Sequence, residues 1–314
     1  MINTKICEML GIKYPIFQGG MAHISDARLA AAVSEGGGLG IISAANGNVE
    51  WIKEQIDLAK SLTDKPFSVN VMLLGENVDE IAELLAKKKV AVVTTGAGNP
   101  ERYVPMWKEA GIKVIPVIPS AALAKLCARS GADAVIAEGG ESGGHVGDLT
   151  TMALVPQVCD AVDIPVIAAG GIGDGRGVAA AFMLGAEGVQ LGTRFMLSYE
   201  CSINRTYKDK LLKANDTSTI VTGKRLGHPV RSLKSPFSRA YAKAEYTQIS
   251  DEELENMAVG TLRAAVVDGD EKKGCFLAGQ ISGMINKEQG AGEMIEEIFA
   301  EAETLLNGAK KWVK

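Results

Sequence analysis

The sequence predicts an α/β fold, a TIM (β/α)8 barrel with a smaller, mainly helical segment inserted after the eighth strand. Short apolar runs rich in β-branched residues recur about every 25 residues, separated by stretches rich in Ala, Leu, Lys and Glu, as alternating strands and helices require. The runs centre on Ile16, Ile41, Val69, Val92, Ile115, Val135, Ile167 and Val189. Eight βα units are the number that closes a barrel.

An open, doubly wound sheet would show the same alternation of strands and helices. No apolar run is followed by G-x-G-x-x-G, and G-x-x-x-x-G-K-[ST] does not occur in the sequence. The sequence therefore supports neither a dinucleotide-binding sheet nor a P-loop, and the barrel is the predicted architecture.

The chain has 314 residues and exceeds a minimal barrel by roughly 60 residues. The alternation of strands and helices breaks down after the eighth run, so the surplus length is expected there. We expect a barrel that binds the cofactor over residues 1–198 and a basic inserted segment or small domain over residues 199–256. C-terminal helices over residues 257–314 are expected to pack back on the barrel.

Composition excludes several classes of protein. The N-terminal residues include Lys5, Glu8 and Lys13 without a signal-peptide core, and no apolar run of about 18 residues follows, which predicts a cytoplasmic protein outside the membrane. The five cysteines are scattered without a C-x-x-C pair, which predicts reduced thiols and no metal site. Because the net charge is −5 and no aromatic residues are interleaved with the basic ones, nucleic acid is not an expected partner.

The stretch from Glu200 to Ser250 is basic, with ten Lys or Arg residues and four acids, a formal charge of +6. Two interpretations stay open. Positive charge beside the barrel mouth would attract an anionic partner or substrate. Alternatively, the stretch is a solvated helical face whose charge is balanced by Asp251, Glu252, Glu253 and Glu255.

Two apolar runs late in the barrel end in glycine, within residues 166–175 and 188–195. The loops after strands seven and eight of such barrels commonly hold phosphate. Bare backbone N–H groups at a helix N-terminus favour an anion for the same reason. The predicted phosphate grip comprises Ala169, Gly170, Gly171, Gly192 and Thr193.

Polar residues end several of the other predicted strands. Asn70 closes the third strand and Glu138 the sixth, and Asn46, Thr95 and Gln190 occupy comparable positions. At the carboxyl ends of the strands these side chains would face the barrel mouth, where they can hydrogen-bond the edge of a heteroaromatic ring. Several amides and a carboxylate beside a phosphate grip predict flavin mononucleotide (FMN) as the cofactor.

Three histidines are present, and His145 is the main candidate for chemistry near neutral pH. It lies in the run 139–147, where five of nine residues are glycine, so a planar ligand could approach the backbone closely beneath the imidazole. His23 is either a second residue of this pocket or a surface loop residue. His228 is interpreted first as part of a structural turn, with substrate contact as the alternative.

Taken in order, these motifs resemble the FMN-dependent enoyl-acyl-carrier-protein reductases, which belong with the nitronate monooxygenases, formerly called 2-nitropropane dioxygenases. The resemblance spans nearly the whole chain. It rests on Gln18–Ala22, Gly37–Ile42, Asp64–Phe67 with Asn70, Thr94–Pro100, Ala137–Gly139, Ser142–Gly147, Ala168–Ile172, Gln190–Phe195, Gly227–Arg231 and Ala278–Gln280. Val146 stands where nitronate monooxygenases usually carry arginine, which favours the reductase, whereas His23 stands where many reductases carry tryptophan.

The resemblance implies reduction of 2-enoyl-acyl-carrier-protein thioesters by NADH or NADPH through FMN, the last step of the type II fatty-acid elongation cycle. His145 would donate a hydrogen bond to the thioester oxygen or a proton to the α-carbon. The implied flavin site adds Gly19, Gly20, Met21, Ala22, Gly143 and Gly144 to the residues above. The implied partner is an enoyl thioester on acyl carrier protein, the implied assembly is a homodimer, and a monovalent cation is left open.

Two rival functions remain at this stage. A nitronate monooxygenase would use the same flavin and histidine with oxygen and without a nicotinamide coenzyme. A flavin-carrying binding protein would have no turnover, because a fold alone does not determine function.

Overall fold

The computed structural model describes residues 2–46 and 48–312. The strands of its central parallel sheet are β1 Ile16–Gln18, β2 Gly40–Ser43, β3 Phe67–Met72, β4 Val92–Gly96, β5 Lys113–Ile118, β6 Val135–Glu138, β7 Val166–Ala169 and β8 Gly188–Leu191. They pair in the order β1-β8-β7-β6-β5-β4-β3-β2. A parallel bridge between Phe17 and Leu39 joins β1 to the start of β2, so the barrel is nearly closed. All eight predicted strands are present, and the predicted fold class is confirmed.

One helix follows each of the first seven strands. The helices up to β8 are α1 Lys5–Leu10, α2 Ala27–Glu35, α3 Val49–Leu62, α4 Val78–Lys88, α5 Val104–Glu109, α6 Ala121–Arg129, α7 Thr151–Cys159 and α8 Gly175–Met183. Side-chain caps begin several of them. Asp26 accepts hydrogen bonds from the first amides of α2, and Ser120 accepts one from Leu123 N in α6, which satisfies donors that have no partner within the helix.

Alternation along each strand divides the side chains between two layers. In β3, Phe67, Val69 and Val71 face outward and pack with the helices, where Trp107 of α5 is fully buried. The intervening residues, Ser68 and Asn70, therefore face the barrel interior. The same period of two places the last inward side chains of the strands around the barrel mouth.

The amino end of the barrel is closed by apolar side chains. Ile6 and Leu10 of α1 belong to one buried cluster with the inward residues of the strands. These inward residues are Phe17, Ile41, Val92, Ile115, Ile136, Ile167 and Ala169. Because this end is filled, polar groups inside the barrel can meet a ligand only at the carboxyl ends of the strands, where barrel active sites lie.

The segment after β8 contains helices, as predicted, and also a β-ribbon that the sequence analysis missed. Strands β9 Thr219–Thr222 and β10 Val230–Leu233 pair antiparallel, and Gly144–His145 adds a third short strand beside β10. The remaining helices are α9 Arg205–Leu212, α10 Pro236–Ala244, α11 Asp251–Ala258, α12 Thr261–Arg263 and α13 Ala291–Gly308. The β-branched run in β9 was a usable signal, but its pairing with residue 145 was not visible in the sequence.

The C-terminal helix α13 packs against α8 and α2. Contact with the end of α2 is close, since a Cβ on Gly36 would lie 2.7 Å from Gly292 Cα. Glu301 of α13 also accepts a hydrogen bond from Gly175 N at 2.8 Å, at the start of α8. The exact division of the chain at residues 198 and 256 stays a prediction.

Within residues 2–46 and 48–312, no helix combines the length and the apolar character needed to cross a membrane. The five cysteines are free thiols. Burial in apolar surroundings raises the pKa of Cys127, Cys201 and Cys275 to about 11, so these thiols stay protonated and act as small core residues at neutral pH.

Gly40 tests how tightly α2 packs on the barrel, because a Cβ there would lie 1.8 Å from Ala30 O. We expect Gly40→Ala to lower the free energy of unfolding by about 3 kcal/mol or more through overpacking. Gly96 is the matched control at the end of β4, since nothing lies within 4 Å of its added Cβ. Urea-unfolding midpoints that fall equally for Gly40→Ala and Gly96→Ala would contradict this account.

Candidate active site

Asn70 lies inside the barrel and is oriented by its neighbour on β4. The strand register aligns Ser43, Asn70 and Thr94 across β2, β3 and β4. Thr94 Oγ1 donates a hydrogen bond to Asn70 Oδ1 at 3.0 Å. This bond assigns the Asn70 amide oxygen to Thr94 and leaves the amide nitrogen as a donor toward the mouth.

Glu138 and Gln190 form the opposite side of the mouth. They are aligned through Ala169, because the register pairs Glu138 with Ala169 and Ala169 with Gln190. Burial raises the pKa of Glu138 to about 7, and an interaction with the Ser142 hydroxyl offsets part of this rise without forming a hydrogen bond of ordinary geometry. Near neutral pH a substantial fraction of this carboxyl is therefore protonated and able to donate a hydrogen bond.

The turn after β1 lies between these two sides. A Cβ on Gly20 would lie 2.5 Å from Asn70 Cβ, and one on Gly19 would lie 3.4 Å from Gln190 Cδ. A Cβ on Gly192 would lie 3.5 Å from Met21 Sδ. The structure thus brings together the predicted residues of β1, β3 and β8, and Ala22 continues the same turn.

Two buried residues that the sequence analysis did not select hold this turn in place. Gln18 Oε1 accepts a hydrogen bond from Ile41 N at 3.1 Å, and Gln18 Nε2 donates to Ser25 Oγ at 2.8 Å. Ser25 Oγ in turn accepts from Met21 N at 2.9 Å. The signal available in the sequence was Gln18 itself, a polar residue at the end of an apolar run.

The residues of the predicted phosphate grip lie at the ends of β7 and β8, and their role in holding phosphate stays a prediction. Gly170 and Gly171 have φ values of +86° and +74°, and the described structure provides no acceptor for their amides or for those of Gly192 and Thr193. Thr193 Oγ1 accepts from Gly279 N at 2.9 Å, so its own proton is free to be donated elsewhere. These donors lie at the ends of the adjacent strands β7 and β8, a position suited to a bound phosphate.

One part of that prediction was wrong. The helix N-terminus after β7 was expected to face the phosphate, but the first amides of α8 are already engaged. Asp174 accepts hydrogen bonds from Arg176 N and Gly177 N, and Glu301 accepts one from Gly175 N. The carboxylates of Asp174 and Glu301 occupy the start of α8. The predicted phosphate site would therefore comprise only loop amides and the turn that begins at Thr193.

The glycine-rich loop after β6 packs more closely on its neighbours than any side chain would allow. A Cβ on Gly139 would lie 2.1 Å from Thr151 Oγ1, and one on Gly143 would lie 2.6 Å from the carbonyl carbon of Ala278. The Glu141 carboxylate accepts hydrogen bonds from Thr151 N and Thr151 Oγ1, the shortest at 2.8 Å. The loop is held from both sides, and Gly143 and Gly144 lie within it as predicted.

His145 is displayed at the mouth by the β-ribbon. It pairs with Val230, and Val146 N donates to Pro229 O at 3.0 Å. The residue is exposed, yet neighbouring atoms desolvate its imidazole and lower its pKa, and the charge of His228 lowers it further. The neutral imidazole therefore predominates at pH 7.

His228 lies in the turn between β9 and β10, where His228 N donates to Gly223 O at 3.0 Å. The first interpretation of this residue, a structural turn, agrees with that contact, and its charge also acts on His145. His23 is exposed after the turn that begins at Gly19, with a φ of +61°.

Two predicted residues of the mouth stand apart from the others. Thr95 follows the inward-facing Thr94, so it lies on the outward side of β4 with Val93, and its buried hydroxyl has no hydrogen-bond partner in the described part of the chain. Its role in cofactor binding stays a prediction. Asn46 ends a short helical turn after β2, and its side chain lies outside the described residues.

The basic segment is partly neutralised by ion pairs. Salt bridges engage four of its ten basic residues, Arg205, Lys208, Lys210 and Arg225. One of the four acids proposed to balance the segment, Asp251, takes part through Arg225 at 2.7 Å. A second, Glu253, caps its own helix at Ser250.

Comparison with known proteins gives a consistent set of matches. A family model described as nitronate monooxygenase matches residues 3–83 and 72–301. A solved structure of FabK from Thermotoga maritima is 46% identical with a TM-score of 0.97, and each chain covers 100% of the other. A substituted octahydroindene-carboxyl-CoA dehydrogenase of Mycobacterium tuberculosis is 34% identical, over 100% of this chain and 99% of that protein. A probable nitronate monooxygenase of Staphylococcus saprophyticus is 31% identical, over 98% and 99%.

Glu138 predicts a pH dependence of stability. Its pKa is raised to about 7 in the fold from 4.5, so between these values the folded state holds a proton that the unfolded state has lost. Stability therefore falls as pH rises through this window. Relative to the wild type, we expect Glu138→Gln to gain about 3 kcal/mol between pH 4 and pH 8. Urea unfolding measures the difference, with exposed Glu54→Gln on α3 as the control.

A constant difference between Glu138→Gln and the wild type over this pH range would contradict the assignment of a protonated carboxyl. Glu54→Gln controls for the removal of a carboxylate, because Glu54 is exposed on a helix surface.

Proposed function

Because this chain belongs to the nitronate monooxygenase family, whose members are flavin-type oxidoreductases, we propose that it is an FMN-dependent enoyl-acyl-carrier-protein reductase. NADH or NADPH would be the electron donor, and the product would be the saturated acyl thioester that completes a cycle of fatty-acid elongation. The observation that carries this choice of reaction is the full-length similarity to FabK, a reductase of this type, at 46% identity, against 34% for the CoA dehydrogenase and 31% for the nitronate monooxygenase described above.

The residues present fit FMN. The amides of Gly170, Gly171, Gly192 and Thr193 lack acceptors at the ends of β7 and β8 and can hold a phosphate. Across the mouth, Asn70, Glu138 and Gln190 offer an amide donor, a carboxyl of raised pKa and a second amide to the edge of a flavin ring. When bound, FMN supplies hydride transfer between the nicotinamide and the substrate.

His145 has the position and the protonation state for one of its two candidate roles. Negative charge develops on the thioester oxygen as the double bond is reduced, and a donor aimed at that oxygen stabilises the transition state more than the ground state. The pKa of His145 is lowered by burial and by His228, so at pH 7 it carries one N–H and no charge. This favours hydrogen-bond donation over proton delivery to the α-carbon.

Nitronate monooxygenase is the second candidate function, and one observation favours it. A neutral His145 has an unprotonated ring nitrogen, which can accept a proton from a carbon acid. The same imidazole that donates to a thioester could therefore serve as the base for a nitroalkane.

Anaerobic half-reactions separate the two functions. The protein is mixed with NADH or NADPH without oxygen, and crotonyl thioester is added next while the flavin absorbance is recorded. The reductase predicts bleaching by the nicotinamide and recovery of colour with the thioester. Absence of bleaching together with oxygen consumption on a propyl nitronate would establish the monooxygenase instead.

Removing His145 should slow the reaction without removing the cofactor. We expect His145→Ala to lower kcat for crotonyl thioester about 100- to 1,000-fold, corresponding to roughly 2.7–4 kcal/mol of transition-state stabilisation. FMN content and the rate of flavin reduction by NADH or NADPH should stay within about threefold, because His145 acts in the other half-reaction. This donor role predicts no acidic limb in kcat/KM from His145, because the imidazolium formed at low pH keeps its N–H donors.

Full turnover by His145→Ala with normal FMN content would exclude His145 from the chemistry. The pH profile provides a second criterion: an acidic limb that disappears in His145→Ala would show that the neutral imidazole acts as a base, as the nitronate monooxygenase requires.

Thr193 tests the phosphate grip directly. We expect Thr193→Val to weaken FMN binding by about tenfold or more, because a hydrogen bond to a charged phosphate contributes roughly 1.5–3 kcal/mol. Binding of riboflavin, which lacks the phosphate, should change by less than about threefold. Fluorescence titration of the flavin-free protein measures both affinities, with Thr304→Val on α13 as the matched control. Equal losses for FMN and riboflavin would show that the substitution acts through the fold.

A further inference from the structure

Arg231 contacts both ends of the turn that precedes His145. Its backbone lies in β10, where the strand register pairs Arg231 with Gly144. Its side chain reaches back to the start of the loop, where Arg231 Nη2 donates to Gly140 O at 2.9 Å. One residue therefore connects Gly140 to Gly144 and fixes the distance between them.

A loop of this composition needs such a connection. Gly143 and Gly144 have wide conformational freedom, and Gly144 has a φ of +79°. The first half of the loop is tied to the barrel through Glu141, whose carboxylate binds Thr151 and whose backbone oxygen accepts from Gln280 N at 2.9 Å. The second half carries His145; it packs on Ala278 at Gly143, and its backbone pairs with the ribbon strand that contains Arg231. A two-residue strand provides little stability of its own.

The Arg231 side chain is held by directed hydrogen bonds rather than by an ion pair in the described part of the chain. Nη1 donates to Thr219 Oγ1 at 3.2 Å and Nη2 donates to Gly140 O, and both acceptors are neutral. Nε is buried without a hydrogen-bond partner in the described structure. Desolvation lowers the pKa of the guanidinium, which Glu141 only partly opposes. By contrast, Arg205 and Arg225 of the same segment form ion pairs with carboxylates.

Burying a guanidinium without an ion pair costs free energy. The hydrogen bonds of Arg231 to Gly140 O and Thr219 Oγ1 account for its half-buried position. The planar group reaches two acceptors on different elements, β9 and the glycine loop, which the point charge of a lysine cannot do with the same geometry. We propose that Arg231 is a positioning residue for the reaction, which sets the direction of His145 by closing the turn from Gly140 to Gly144. This inference rests on the function proposed above, since it acts through His145.

Arg231→Ala should therefore impair the step that His145 supports and spare the other. We expect kcat for enoyl thioester to fall at least tenfold, while the rate of flavin reduction by NADH or NADPH changes by less than about threefold. The effects should not add: Arg231→Ala combined with His145→Ala should be no slower than His145→Ala alone, within about threefold. Arg239→Ala, which removes an exposed charge on α10, should leave both rates unchanged.

Guanidinium ion at millimolar concentration should restore part of the kcat lost by Arg231→Ala and none of that lost by His145→Ala, since it can occupy the site between Gly140 O and Thr219 Oγ1. Multiplicative losses in the double variant, or an equal loss in both half-reactions, would overturn the proposal and leave Arg231 with a purely structural role.

Hydrogen exchange tests the positioning without any turnover, so it remains decisive even if the enzyme proves not to reduce enoyl thioesters. In the FMN-loaded protein, amide protection of residues 139–147 should fall about tenfold in Arg231→Ala and stay at the wild-type level in Arg239→Ala. Protection of β3 and β4 should be unchanged in both variants. Unchanged protection of the loop in Arg231→Ala would overturn the proposal.

Discussion

The site depends on backbone segments that approach one another more closely than a side chain permits. Gly20 lies against Asn70, Gly139 against Thr151 and Gly143 against Ala278, each at a distance that an added Cβ could not share. These contacts bring the ends of β1, β3 and β6 and the C-terminal segment to one place. Glycine gains no packing energy of its own there. Its contribution is to let hydrogen bonds from neighbouring residues, such as Thr151 to Glu141, determine the shape of the loop.

The segment after the barrel completes the site. Its ribbon forms a sheet with Gly144–His145, and residues 277–280 contact the glycine loop and Thr193 from the other side. A barrel that ended at β8 would keep its apolar floor but would lack the strand against which His145 pairs and the Gly279 amide that binds Thr193. The segment after β8, which accounts for the surplus length, thus orients His145, the main catalytic candidate.

Local patterns in the sequence were sufficient to predict the barrel strands and the side chains that face the barrel interior. All eight barrel strands follow from apolar runs, and Asn70, Glu138 and Gln190 face inward because a strand alternates with a period of two. The same rule shows the limit of the method at β4, where Thr94 rather than Thr95 shares the interior with Asn70. A register error of one residue reverses the direction of a side chain, and sequence alone does not define the register.

The features that the sequence did not reveal are all non-local. Arg231 is 91 residues from Gly140, and Gly279 is 86 residues from Thr193. No periodicity links such positions, and the acids that cap α8 were likewise not recognised as competitors for its amides. Pairing between distant segments depends on the complete fold. Patterns among neighbouring residues therefore predicted neither the ribbon nor the contacts of Arg231.

Ile6 and Leu10 close the amino end of the barrel, and this closure affects the order in which reactants bind. With the amino end filled by apolar side chains, the site is open to ligands at the carboxyl ends of the strands. Under the function proposed above, a nicotinamide and an acyl chain that need the same face of one flavin ring would bind in turn. Ping-pong kinetics, with each reactant inhibiting at high concentration, are the expected consequence.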